Sequence, residues 1–158
     1  MRPVVFQVML LLLLVPTAQT SRVSAQDTSS SPAAADTAAV RAWIRDHAIA
    51  LTATEPGNGF ADLQPLRQIV GDARIVALGE ATHGTREFFQ LKHRMLEFLV
   101  SEMDFNIFAI EASLTEALDV NRYVLSGEGD PARALAGMYF WTWDTEEVLA
   151  LIRWMREY

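Results

Sequence analysis

The chain has 158 residues, no cysteine and a formal charge of −7 at neutral pH, a length that suits one domain of ordinary size. Without cysteine it cannot form disulfides, a thiolate zinc site, a cysteine nucleophile or a lipoprotein anchor. The acidic balance leaves no basic footprint for nucleic acid or for anionic lipid.

Met1–Ala25 reads as a secretory signal peptide: Arg2, the apolar run Val4–Val15, then Pro16 and small or polar residues up to a Val23-Ser24-Ala25 cleavage site. That run of twelve residues is short of the roughly 20 needed to cross a bilayer. The mature protein is therefore expected to be exported, periplasmic or secreted, with no stable membrane anchor after cleavage. Cleavage would remove Arg2 and Arg22 and no acid, taking the charge from −7 to −9. Residues 26–36, "QDTSSSPAAAD", are Ser/Ala/Pro-rich and are expected to be a disordered leader. Residues 37–158 remain for the folded part.

Apolar residues at helical spacing predict a helix over Val40–Leu51. "EPGNG" at 55–59 is a loop by its Pro and Gly content, and Leu63–Val70 a short helix stopped by Gly71. Arg74–Leu78, "RIVAL", is expected to be a buried strand. Thr85–Met103 carries the clearest helical pattern in the chain, and Phe105–Ile110, "FNIFAI", is expected to be a second buried strand. Leu114–Leu125 follows as a helix broken by "SGEGDP". Asp130 with Pro131 should start another helix, and Thr145 with Glu146 and Glu147 a last one. Strand, long helix, strand is the pattern of a βαβ unit, whose crossover joins parallel strands. The fold class expected is therefore α/β, a mostly parallel sheet flanked by helices. Two strands seldom make a stable sheet, so the chain is read as an incomplete, N-terminal part of a larger fold.

In parallel α/β sheets the ligand crevice lies beyond the carboxyl ends of the strands. The first expected strand ends in Gly79-Glu80 and the second in Glu111-Ala112, with His83 just after Glu80. Neighbouring strands would bring Glu80, His83 and Glu111 to one edge. Gly79 and Gly84 bracket "EATH" and permit a sharp turn. Thr85 could cap the long helix, whose free N–H groups favour developing negative charge. Along that helix Phe88, Leu91, Met95, Leu96, Phe98, Leu99 and Met103 form an apolar face, with Arg86, Gln90, Arg94, Glu97 and Ser101 opposite. Lys92 falls inside the apolar face. A buried ammonium needs a partner, and the acids at the strand ends can supply one; otherwise Lys92 snorkels to water. His47 and His93 are weaker candidates. Trp141 and Trp143 could line an apolar pocket or belong to the core.

"VALGEATHGTREFFQLKHRMLEFLV" followed by "FAIEAS" closely resembles the erythromycin esterase family, and the likeness runs from about Leu66 through "WTWDTEEVLALIRWMREY". The resemblance implies an α/β hydrolytic enzyme without a nucleophilic serine, whose best-known members open macrolide lactones. It implies His83 as the general base that activates water and Glu80 and Glu111 as the acids around it. Lys92 matches a basic position that is arginine in well-known macrolide esterases. Lysine is a point charge rather than a bidentate fork. Members are considerably longer, with at least one further active-site histidine in the part that would follow.

The function expected is water-mediated hydrolysis of an ester or macrolactone, linked through the family to macrolide resistance. The catalytic residues are His83, Glu80 and Glu111; Lys92, Arg86 and Trp141 are expected to contact the substrate. No cofactor and no metal are expected. One alternative is a metal-dependent hydrolase with Glu80, His83 and Glu111 as ligands. Another is a truncated, non-catalytic fragment that holds a hydrophobic ligand against Trp141 and Trp143.

Overall fold

The computed structural model describes Val5–Phe6 and residues 37–158. Apart from Val5–Phe6, the expected signal peptide and leader lie outside the described residues. Two units are distinguished: one holds helix α1 (Thr37–His47), the other holds strand β1 (Val5–Phe6) together with Leu51–Tyr158. The first helix ends at His47, short of the expected Leu51. There the His47 ring stacks on Trp43 and its Nδ1–H donates to the Trp43 carbonyl at 2.8 Å, which satisfies one of the last free acceptors.

The second unit is mostly helical. After a single 3-10 turn at Ala61–Leu63 come α2 (Leu66–Val70), α3 (Arg86–Met103), strand β2 (Ile107–Phe108), α4 (Leu114–Ser126), α5 (Pro131–Ala136) and α6 (Glu146–Glu157). Phe89, Leu96 and Val100 of α3 pack with Ala117, Val120 and Val124 of α4, Leu135 of α5, and Val148, Leu151, Ile152 and Met155 of α6. Ala117, Val120 and Val124 of α4, and Val148, Leu151 and Met155 of α6, recur every three or four positions, as an amphipathic helix requires; on α3 the core takes Phe89 and Val100, which the apolar face read from the sequence did not contain. The helix ends follow local chemistry. Asp130 accepts from the Ala132 and Arg133 amides, with Pro131 in the first turn, and Thr145 accepts from the Val148 amide at 3.2 Å. Gly127 closes α4 at φ 77°, a conformation glycine adopts freely. The Arg156 guanidinium lies against it and donates to the Leu125 carbonyl at 3.1 Å, a cation at the negative end of the helix.

The sheet departs from expectation. Arg74–Leu78 forms no strand, and Ile75 is 82% exposed rather than buried. Of Phe105–Ile110 only Ile107–Phe108 pairs, and its parallel partner is β1, with Val5 opposite Ile107 and Phe6 opposite Phe108. The expected βαβ unit is therefore not formed, and a parallel sheet beyond this two-residue pair is absent from the described residues. An apolar run marks a segment that can be covered. Only a ladder partner and cross-strand contacts make it a strand.

The polar face expected on α3 is also corrected. Arg94 is 1% exposed and Glu97 7%, because the segment from Thr52 to Leu63 covers them. The Arg94 guanidinium meets the Asp62 carboxylate through both terminal nitrogens. It also donates to the carbonyls of Ala53 at 2.6 Å and Gly59 at 2.7 Å. Asp62 Oδ2 accepts as well from the Thr52 amide and hydroxyl. Glu97 Oε2 accepts from the Gly57 amide at 2.9 Å. A buried guanidinium is tolerated when its donors are occupied in this way. Arg94 holds its partner ionised: with the Thr52 amide, it keeps the Asp62 carboxyl well below the usual carboxylate range. Phe98, fully buried, packs edge-on against Phe60 on the same side.

Candidate active site

The segment Gly79–Thr85 leads irregular chain into the start of α3. Thr85 occupies the N-cap position with extended backbone, but its side chain makes no capping bond, contrary to the sequence expectation. Its hydroxyl lies 3.5 Å from that of Thr82, which donates to the His83 carbonyl at 3.2 Å. Gly84 has φ 76°, the left-handed turn that carries the chain from His83 into the helix.

Glu80 turns inward, its side chain 8% exposed, and each carboxylate oxygen has a different partner. Oε1 lies 2.5 Å from His83 Nδ1, and Oε2 accepts from the Lys92 ammonium. Lys92 therefore does not snorkel; it stands two turns into α3 and reaches back to the acid, with its Nζ 5.5 Å from the centre of the Phe89 ring. Burial alone would raise the Glu80 pKa, but the hydrogen bonds from Lys92 and His83 outweigh it and hold the group below its ordinary value. An ionised carboxylate can only accept, so the proton between the two residues sits on His83 Nδ1. That leaves the lone pair on Nε2, on a ring that is 62% exposed. The arrangement is a solvent-facing imidazole hydrogen-bonded to a buried acid that is itself held by a cation.

The remaining sequence candidates are distributed differently. Glu111 is exposed, and among the described residues its carboxylate makes no hydrogen bond or ion pair. Its backbone carbonyl accepts from the Trp143 indole N–H at 2.9 Å. The expected convergence of three groups is thus met by Glu80 and His83 alone. Glu111 does not join because the segment carrying Glu80 is not a strand beside β2. Arg86 pairs with Glu147 of α6 at 3.0 Å. It lines a cleft of 240 Å³ with Pro56, Gln90, His93, Glu146 and Ala150, and none of Glu80, His83 or Lys92 is part of that wall. Trp141 does reach the site: its ring stands edge-on to His83, centroids 6.2 Å apart at 85°. Among the described residues no three His, Asp or Glu side chains are placed together as a metal-binding group. Sequence reasoning missed the Arg94–Asp62 pair, because Arg94 with Glu97 three residues on reads as a solvated helix face.

Residues 100–158 match the family model for erythromycin esterase. Over these residues the chain is similar to the erythromycin esterase family. It is 35% identical over 119 residues to the erythromycin esterase type II of Escherichia coli, an alignment covering 73% of this chain and 27% of that protein. A Bacillus cereus protein of known crystal structure superimposes with a TM-score of 0.72 at 41% identity, over 78% of this chain and 29% of the other. The crystal structure of a succinoglycan biosynthesis protein gives a TM-score of 0.68 at 39% identity, over 73% and 28%. The chain spans about a quarter of the length of the curated relatives it matches.

Proposed function

We propose that this protein is a hydrolase of the erythromycin esterase family that opens an ester or macrolactone by attack of water, with His83 as the general base. The observation that carries the reading is the Glu80 carboxylate bonded at once to His83 and to Lys92. In this mechanism Nε2 takes a proton from a water molecule as its oxygen attacks the ester carbonyl. The tetrahedral oxyanion forms near the start of α3, where backbone N–H groups and the helix dipole favour negative charge. The imidazolium then returns its proton to the departing alkoxide, which restores the base. Lys92 acts through Glu80: with its ammonium engaged there, it keeps the acid ionised so that the acid can hold the imidazole and stabilise its cation.

Glu111 enters the proposal as a second acid, its backbone carbonyl held by Trp143. The larger α/β sheet expected from Arg74–Leu78 and Phe105–Ile110 belongs to the proposal too; the exposure of Ile75 and Ile107 suits segments that further strands would cover. So does export through the N-terminal signal. Macrolide lactones are the proposed substrate class because the family's curated esterase carries that name. The test is to incubate macrolides with the protein and with His83→Ala and to follow lactone opening by mass spectrometry as the gain of one water. The reading expects opening by the first and not the second. Equal opening by both would end the assignment of His83.

A further inference from the structure

We infer that the aromatic loop Tyr139–Trp143 is the specificity element of this site, with Trp141 selecting esters that carry a bulky, uncharged apolar group. The inference rests on the hydrolase reading above and adds to it the class of substrate. The loop projects between two buried residues. Met138 and Thr142 are 2% and 1% exposed, whereas Tyr139 and Trp141 are 86% and 70% exposed. Isolated exposed apolar residues are ordinary; here two large aromatic rings stand in solvent two positions apart, and one of them, Trp141, lies against a candidate base.

The loop is also held firmly. The Tyr139 amide donates to the Ala136 carbonyl at 3.1 Å, and the Trp143 amide to that of Phe140 at 2.9 Å. The Trp143 ring stacks on Phe140 and meets Phe89 edge-on, while its indole N–H is tied to the Glu111 carbonyl. Tyr139 has φ 53°, a left-handed backbone uncommon for a residue with a large side chain. One loop thus spans from the backbone of Glu111 to the ring of His83. Gly84 passes beneath the indole: a Cβ built on it would stand 3.5 Å from Trp141 Cζ3, in ordinary contact. An indole on a backbone held in this way presents a large apolar surface, and with two side-chain torsions it loses little freedom when it binds. Set against the imidazole, it would cover the acyl or ring portion of an ester whose carbonyl faces Nε2. It offers nothing to a small polar ester.

The experiment compares methyl acetate with methyl octanoate by pH-stat, using the protein, Trp141→Ala and Trp141→Phe, alongside binding of N-octylacetamide followed at the Trp141 indole resonance by NMR. The expected result is that Trp141→Ala lowers kcat/KM for octanoate by about 10- to 100-fold, chiefly through KM, and much less for acetate, with Trp141→Phe restoring most of the octanoate loss. Equal losses on both esters, or none on either, would overturn the inference while leaving the hydrolase reading in place. Binding of the amide that moves the Trp141 resonance, without turnover of either ester, supports the aromatic platform and removes the hydrolase. Neither binding nor turnover overturns both.

Discussion

Acidification should destabilise this protein through His93 before it titrates most carboxylates. His93 lies on α3, 4% exposed, with its ring edge-on to Trp154 and its Nε2 without a hydrogen-bond partner. The nearest acid is Glu97, whose Oε1 is 3.8 Å from Nε2, beyond hydrogen-bond reach, and whose other oxygen is engaged by Gly57. Arg86, Glu146 and Glu147 line the adjoining cleft, and Arg86 is taken up by Glu147. Burial therefore dominates and pulls the His93 pKa from 6.5 down to about 4. The unfolded chain binds this proton more readily than the folded one, so stability is complete above pH 6.5 and is lost as the pH falls toward 4. The gap corresponds to roughly 3 kcal/mol, a large part of a typical domain's margin of about 5–15 kcal/mol. Urea unfolding of the protein and of His93→Gln at pH 7, 5.5 and 4 isolates the contribution, because every other group is common to both. The protein should lose about 3 kcal/mol more than the variant between pH 7 and pH 4. Parallel stability profiles would show that His93 does not titrate as its burial requires, and the reasoning would fail.

Three further outcomes are expected. Lys92→Met removes the ammonium from a buried acid, so the Glu80 carboxyl should titrate at higher pH, read from its 13C resonance; Lys92→Arg should leave it low. Phe98→Ala empties a fully buried site and should cost about 3–5 kcal/mol in urea unfolding; a loss below about 1 kcal/mol would contradict the packing of Phe98 against Phe60. Arg94→Leu strands Asp62, so amide exchange at Thr52, whose N–H is held by Asp62, should accelerate; unchanged exchange would show that the pair does not hold that segment.

The helices were legible because their signals are local. Asp130 with Pro131, Thr145 before two glutamates, and the three-and-four spacing of Leu91, Met95 and Phe98 each state a helix within one or two turns. Glu80 with His83 was legible for the same reason: three residues apart across a turn bracketed by glycines, they meet without help from the rest of the fold. The Lys92 pairing followed from the cost of leaving an ammonium in an apolar face. What the sequence did not show depends on distant partners. Arg94 and Glu97 look like a solvated helix face until the loop carrying Asp62 and Gly57 folds over them. Arg74–Leu78 has the composition of a strand but no ladder partner, and Glu111 was drawn toward Glu80 by a pairing that the described residues do not form. The contact of Trp141 with His83 lay beyond reach too, because it joins segments 58 positions apart in the sequence.

The central claim is that a buried, ionised Glu80 fixes the tautomer of an exposed His83. A long-range 1H–15N NMR spectrum of the neutral imidazole reads this directly. The account expects a protonated Nδ1 and a free Nε2 in the protein, with that preference lost in Glu80→Gln. A His83 that carries its proton on Nε2, or one whose tautomer is unaffected by Glu80→Gln, would contradict it.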